Sequence, residues 1–284
     1  MKRLPFVAFL IMVLVTLHAS GQDRAQQVPW ENYFGAGMRA LNAGDLQKAE
    51  LLFKSARLKA ELEQEAGNPK ALDMRLASNN AIAVVVRAEG KSVEAESVLR
   101  EQLDLLKSSG RREDDPELST TLHNLGLVLF DQQKYYDARK VLEQAVALRR
   151  KYDPEPQRNV AVSLLSLGGA YFHEGKLKDA EAASLEARRI LSEVPDERKT
   201  PEDLAAVMRS DHNLALIYVE QKKYSDAESY YKRAIGSMEK LYGPTNRSLV
   251  MYLNNYAKLL RILKHESEAK ALEARAEMIR RQNN

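Results

Sequence analysis

Cysteine is absent from all 284 residues, so neither a disulfide nor a thiolate metal site can hold this chain together. Charge of one sign is also missing. With Lys2 and Arg3 set aside, 41 basic residues face 40 acidic ones, which excludes the basic footprint of a nucleic-acid binder. Both signs are interspersed, as on exposed helix faces. Proline is kept out of the helical stretches. Pro5 and Pro29 come early, and the other seven, Pro69, Pro116, Pro154, Pro156, Pro195, Pro201 and Pro244, fall in five joints. A proline inside a helix costs about 3 kcal/mol, so these joints mark the ends of elements. Apolar residues do not alternate with period two anywhere, so no strand is expected; they recur at three and four.

Catalytic patterns are equally scarce. His123, His173, His212 and His265 have no second ligand at zinc-helix spacing, so no metal site is expected. The stretch Gly168-Gly169-Ala170-Tyr171-Phe172-His173-Glu174-Gly175-Lys176 superficially resembles a phosphate loop. It fails because Ala170 stands where the first glycine is needed and Leu177 replaces the magnesium-holding hydroxyl. These absences point to a non-enzymatic protein with no cofactor. Asn246-Arg247-Ser248 fits a glycosylation acceptor, and more simply a helix entry after Gly243-Pro244.

The first 21 residues form a class of their own. Met1-Lys2-Arg3 is a short basic start, Leu4 to Leu17 is apolar, and Ala19 and Gly21 supply small residues for cleavage before Gln22. This is the anatomy of a secretory signal peptide, too short for a comfortable membrane span. The expectation is export to a periplasmic or extracellular space with no stable membrane insertion afterwards. An uncleaved N-terminal anchor is the alternative. Without a cysteine after the apolar run, a lipoprotein is excluded.

What the chain has is repetition. Thr121-Leu-His-Asn-Leu-Gly-Leu-Val-Leu-Phe-Asp-Gln-Gln-Lys-Tyr-Tyr-Asp-Ala returns as Ser210-Asp-His-Asn-Leu-Ala-Leu-Ile-Tyr-Val-Glu-Gln-Lys-Lys-Tyr-Ser-Asp-Ala, and a third copy opens at Tyr252-Leu-Asn-Asn-Tyr-Ala. One alanine per unit anchors the array: Ala49, Ala95, Ala138, Ala180, Ala227 and Ala269. Twelve residues before each stands Gly37, Ala83, Gly126, Gly168, Ala215 or Ala257; seven after it stands Ala56, Gln102, Ala145, Ala187, Ala234 or Ala276. Small residues at these places allow two helices to cross closely. Large ones fill the space between, Leu125 and Leu129 with Leu142, or Leu214 and Tyr218 with Tyr231, and the pairs four residues apart share one helical face. Gly44, Gly90 and Gly175 mark tight turns inside three hairpins, and Thr200-Pro201-Glu202-Asp203 reads as a helix start. Six helix–turn–helix units follow, near 30–66, 70–107, 117–152, 157–193, 201–242 and 246–281, preceded by the signal at 1–21 and a short linker at 22–29.

This pattern resembles the tetratricopeptide repeat over nearly everything from Trp30 to residue 284. The anchors lie 46, 43, 42, 47 and 42 residues apart, beyond the roughly 34 of the standard unit. With His-Asn-Leu or Asn-Asn-Tyr in the first helix, the longer units look like the kinesin-light-chain type, also widespread in bacterial proteins of unrelated role. The resemblance implies an all-α, right-handed solenoid that serves as a protein-interaction scaffold.

In such a solenoid the first helices line a groove for an extended peptide. Its residues here are expected to be Asn80, His123, Asn124, Phe130, Phe172, Arg209, His212, Asn213, Asn254, Asn255, Lys258 and Arg261. The resemblance assigns Asn124, Asn213 and Asn255 to a peptide backbone; the same amides could instead bridge neighbouring helices. Arg209, Lys258 and Arg261 make the C-terminal end basic, and Phe130 and Phe172 offer apolar anchors. The groove lysine that grips acidic chaperone tails is missing, its place taken by Phe34, Asn80, His123, Leu165, His212 and Asn254. A self-associating structural envelope component is the other reading. The identity of any protein or peptide partner is not encoded in these features.

Overall fold

Small residues govern the fold because large ones stand opposite them. In a computed structural model that describes residues 28–111, 115–152 and 157–282, a Cβ on Gly37 would lie 2.6 Å from the Phe53 ring. One on Gly126 would lie 2.5 Å from Leu142, and one on Gly168 2.9 Å from Ser184. Gly37 and Gly126 therefore cannot carry a side chain without a shift of Phe53 or Leu142, whereas Ala83, Ala215 and Ala257 hold the same place in three other hairpins. All six anchor alanines are fully buried, and so are Ala56, Gln102, Ala145, Ala187, Ala234 and Ala276. The fold is an all-α repeat solenoid, with twelve α-helices and no strand among the described residues.

The helices form hairpins: α1 (Trp30–Asn42) with α2 (Leu46–Glu65), and α3 (Ala71–Ala88) with α4 (Ser92–Ser108). Then come α5 (Pro116–Asp131) with α6 (Tyr135–Tyr152), α7 (Arg158–His173) with α8 (Leu177–Ser192), α9 (Pro201–Glu220) with α10 (Tyr224–Tyr242), and α11 (Leu249–Ile262) with α12 (Glu266–Gln282). The chain divides into two compact units, 1–110 and 111–284, whereas its repetition alone suggests one unbroken array. The division falls in the polar run 108–115, at Gly110 with φ +68°. In the second unit each first helix packs on the next: α5 on α7, α7 on α9 and α9 on α11. The signal segment, with Pro5, and the joint prolines Pro154 and Pro156 lie outside the described residues. No helix among the described residues is long and apolar enough to cross a membrane.

Every hairpin turns the same way. The residue seven after the small position adopts a left-handed conformation in all six: Gly44, Gly90, Gln133, Gly175, Lys222 and Lys264. The next N–H closes on a carbonyl five residues back, as in Asp45 to Ala40, Lys134 to Leu129 and His265 to Leu260. This is the Schellman closure that satisfies helix-end carbonyls. Three turns use glycine, which has no Cβ to strain; three manage without it. At α9, Thr200 and Asp203 form a complete capping box after which Pro201 fits the first turn.

Candidate functional site

The first-helix face of the second unit is built by α5, α7, α9 and α11, whose register repeats from the small positions. Its outer layer is apolar at the centre. Phe130, Leu127, Gly169, Phe172, Leu216 and Val219 are each half-buried. Phe130 lies across Gly169, where a Cβ would meet the ring at 3.4 Å, an ordinary van der Waals contact. Phe130 meets Tyr135 and His173 edge-on at 5.2 Å each, and His173 stacks on Tyr135 at 4.4 Å. Phe172 is edge-on to His173 at 5.6 Å. Burial among these rings pushes the His173 pKa down.

Beneath that layer runs a polar ladder between neighbouring first helices. Ser163 Oγ lies 3.1 Å from His123 Nδ1 and accepts from Arg149 Nη1 at 2.6 Å. Asn213 Nδ2 donates to the Leu165 carbonyl at 3.4 Å. Asn255 Nδ2 lies 3.1 Å from His212 Nε2, donating to it when the ring is in its neutral Nδ1–H form. Tyr252 covers His212 at 4.4 Å, and burial drives the histidine pKa down to about 4. The structure thus places two expected groove residues inside the stack. His123 and His212 are buried at 7% and 6% exposure, because the next first helix packs over them. Asn213 and Asn255 bridge helices, which is the packing alternative, and both stay half-exposed.

The remaining residues separate by availability. Arg209 and Lys258 are exposed on this face. Arg261 is exposed but committed: Glu273 receives two bonds from it, at 3.0 and 2.8 Å, and Glu266 one at 2.6 Å. Its charge is therefore neutralised within its own hairpin. Asn124 is half-buried on α5. Asn254 borders a recess of 580 Å³ with Arg247, Ser248, Met251 and Arg280 at the start of α11. Asn80 belongs to the first unit, half-buried on α3. The Asn246 side chain accepts from the Ser248 N–H at 2.9 Å, a turn that leads into α11. Among the described residues no group of three His, Asp or Glu side chains is placed to hold a metal ion.

Sequence reasoning missed a second ladder on the other side of the hairpins. In four hairpins the residue after the anchor reaches the next one. Glu50 takes Lys91 at 2.8 Å in the first unit. In the second unit Arg139 reaches Glu174 at 2.8 Å, Glu181 receives Gln221 at 2.7 Å, and Glu228 receives Tyr256 at 3.0 Å. Lys54 and Lys91 together hold the Glu50 carboxyl down to about 2. Glutamate follows the anchor in four repeats, at Glu50, Glu96, Glu181 and Glu228, but its cross-repeat partner differs, Lys91, Gln221 or Tyr256, so the recurring Ala-Glu pair was the available signal.

Comparison with known proteins agrees with the repeat fold. The model described as "Tetratricopeptide repeat" matches residues 73–151, 117–193 and 204–282. Tetratricopeptide repeat protein 19 homolog, mitochondrial, of Drosophila melanogaster is 25% identical over 142 residues, 49% of this chain, which spans only 38% of that relative. Among solved structures, a Podospora anserina putative kinesin light chain with nearly identical TPR-like repeats superposes with a TM-score of 0.58 at 20% identity, covering 74% of this chain and 96% of that one. A Rap protein complexed with Competence and Sporulation Factor superposes with a TM-score of 0.58 at 18% identity, covering 89% and 75%. At those identities the likeness is one of fold. The chain belongs to the tetratricopeptide repeat family.

Proposed function

We propose that the protein is a non-enzymatic scaffold, exported through its N-terminal segment, that holds an extended segment of a partner protein on the first-helix face of the second unit. One observation carries the reading: apolar and amide groups share that face at the helical period. Half-buried Phe172, Leu216 and Val219 offer contact area, while Asn213 and Asn255 spend a donor on the stack. Each amide has two donor hydrogens and an acceptor oxygen, so capacity remains for a peptide backbone beside the helix bridge. Arg209 and Lys258 add positive charge toward the α11 end. A protein partner suits the fold, because function resides in the site a fold carries, and the Rap structure named above is a complex.

The test is affinity capture from the native host followed by binding measurements on the captured partner. Changing Phe172 and Leu216 to serine should weaken that partner at least tenfold, about 1.4 kcal/mol, with helicity kept. Unchanged affinity in the variant would refute the assignment of this face. N-terminal mass spectrometry of exported protein should find Gln22 first; intact Met1 in a membrane fraction would replace export with anchoring.

A further inference from the structure

Second helices of neighbouring repeats leave a seam between them, and two seams of the second unit are built differently. Between α8 and α10 the seam is full. Tyr230 lies 5.5 Å from Tyr218 and carries the Arg233 guanidinium 4.8 Å over its ring. Arg188 and Arg233 both reach buried Asp211, at 2.9 and 2.7 Å. The chain here shows how its own arginines fill such a seam: stem against the helices, head on a carboxylate.

Between α6 and α8 the same register carries other residues. Val146 stands in place of Arg188, Leu164 in place of Asp211, Ala183 in place of Tyr230 and Glu186 in place of Arg233. The outcome is an open recess of 280 Å³ with a floor of Val146, Leu164, Leu167 and Ala183. Its rim holds three carboxylates, Glu143, Asp179 and Glu186, against one guanidinium, Arg150. Arg150 is tied to Glu186 at 2.6 Å, and Glu143 receives Arg139 and Tyr171, each at 2.8 Å. Asp179, in the first turn of α8, also suits the positive helix end.

We propose that this recess accepts an arginine side chain from a partner protein. An apolar floor under an acidic rim matches a side chain that buries an aliphatic stem while its charged head stays at the edge. A guanidinium also suits planar pairing with carboxylates and stacking on the Tyr171 ring at the wall. Removing the four residues that fill the α8–α10 seam leaves the recess open: the chain's own Arg139 and Arg150 answer Glu143 and Glu186, and Asp179 is the rim carboxylate left to meet an arginine from outside. The recess opens between the second helices α6 and α8 over the α7 residues Leu164, Leu167 and Tyr171, none of which belongs to the proposed peptide face, so this inference stands independently of it.

The probe is Nα-acetyl-L-arginine amide, titrated into the full chain and followed by methyl NMR at Val146, Leu164 and Leu167. Saturable shifts confined to these methyls are expected, with a dissociation constant of about 1 mM, the scale of a single side chain. The neutral isostere Nα-acetyl-L-citrulline amide should bind at least threefold more weakly. Ala147→Arg, an exposed position whose equivalent in α8 is Arg189, should abolish the shifts, and Asp179→Asn should weaken them, with melting unchanged in both. Non-saturating shifts, equal binding of citrulline, or undiminished binding to Ala147→Arg would overturn the proposal.

Discussion

Asn79 and Asp211 occupy the same place in two different hairpins, four residues before Ala83 and Ala215, and both are buried. Tyr33, Leu122, Leu164 and Leu253 hold that place elsewhere. Asp211 is met from both sides by Arg188 and Arg233, although burial still pushes its carboxyl pKa up against their attraction. Asn79 has neither amide atom bonded. The difference teaches how this array tolerates polarity in its core. Where a second-helix arginine can arrive from the flank, a polar group becomes a cross-repeat tie; where none does, it is a local weakness. An unmade buried hydrogen bond costs about 1–3 kcal/mol.

The largest expected effect concerns a third buried polar group, His212, satisfied only while neutral. Its folded-state pKa is lowered from 6.5 to about 4, so its stabilising contribution is complete above about pH 6.5 and lost as pH falls toward 4. The shift corresponds to roughly 3 kcal/mol. Thermal melts across that range should show a decline that His212→Gln flattens; parallel declines in both proteins would break the comparison at this residue.

Identical substitutions at the two matched positions should act in opposite directions. Asp211→Leu removes charge-assisted bonds and should lose about 2 kcal/mol, moderated because both arginines keep access to water. Asn79→Leu should gain about 1–2 kcal/mol by removing the unpaired amide. Denaturant unfolding of each variant checks the signs, and a loss in both would mean that Asn79 is satisfied in solution.

How much of this was legible in sequence follows from how local each feature is. The small positions and anchors could be read directly, since Gly126 and Leu142, or Gly37 and Phe53, meet within one hairpin and the spacing recurs. The fold class followed from them. The Asp211 tie could not be read, because Arg188 and Arg233 are 23 and 22 residues away and no other repeat carries the same trio. Helical spacing puts Asn213 and Asn255 on one side of their helices, and the structure has both half-exposed there. Spacing gave no measure of depth, so His123 and His212 were expected in the open although neighbouring helices cover them. Likewise Arg261 looked free until α12 brought Glu273 beside it.

Backbone turns sharpen the same contrast on a smaller scale. Gln133, Lys222 and Lys264 hold the left-handed conformation that glycine holds in the other three hairpins. Replacing any one by glycine should stabilise by about 0.5–1 kcal/mol, the relief of a Cβ in that region less the added freedom of the unfolded chain. Melting curves of the three single variants would show it; a uniform loss would mean that these side chains stabilise their turns.

The most direct measurement is site-specific photo-crosslinking in the native host. A photoreactive residue at Leu216, on the first-helix face of the second unit, is compared with one at Leu51, an exposed second-helix position in the first unit. The account predicts that Leu216 captures a discrete partner whose crosslinked peptides form one contiguous extended segment, while Leu51 does not. Capture of that partner at Leu51 alone, or of scattered surfaces at Leu216, would contradict it.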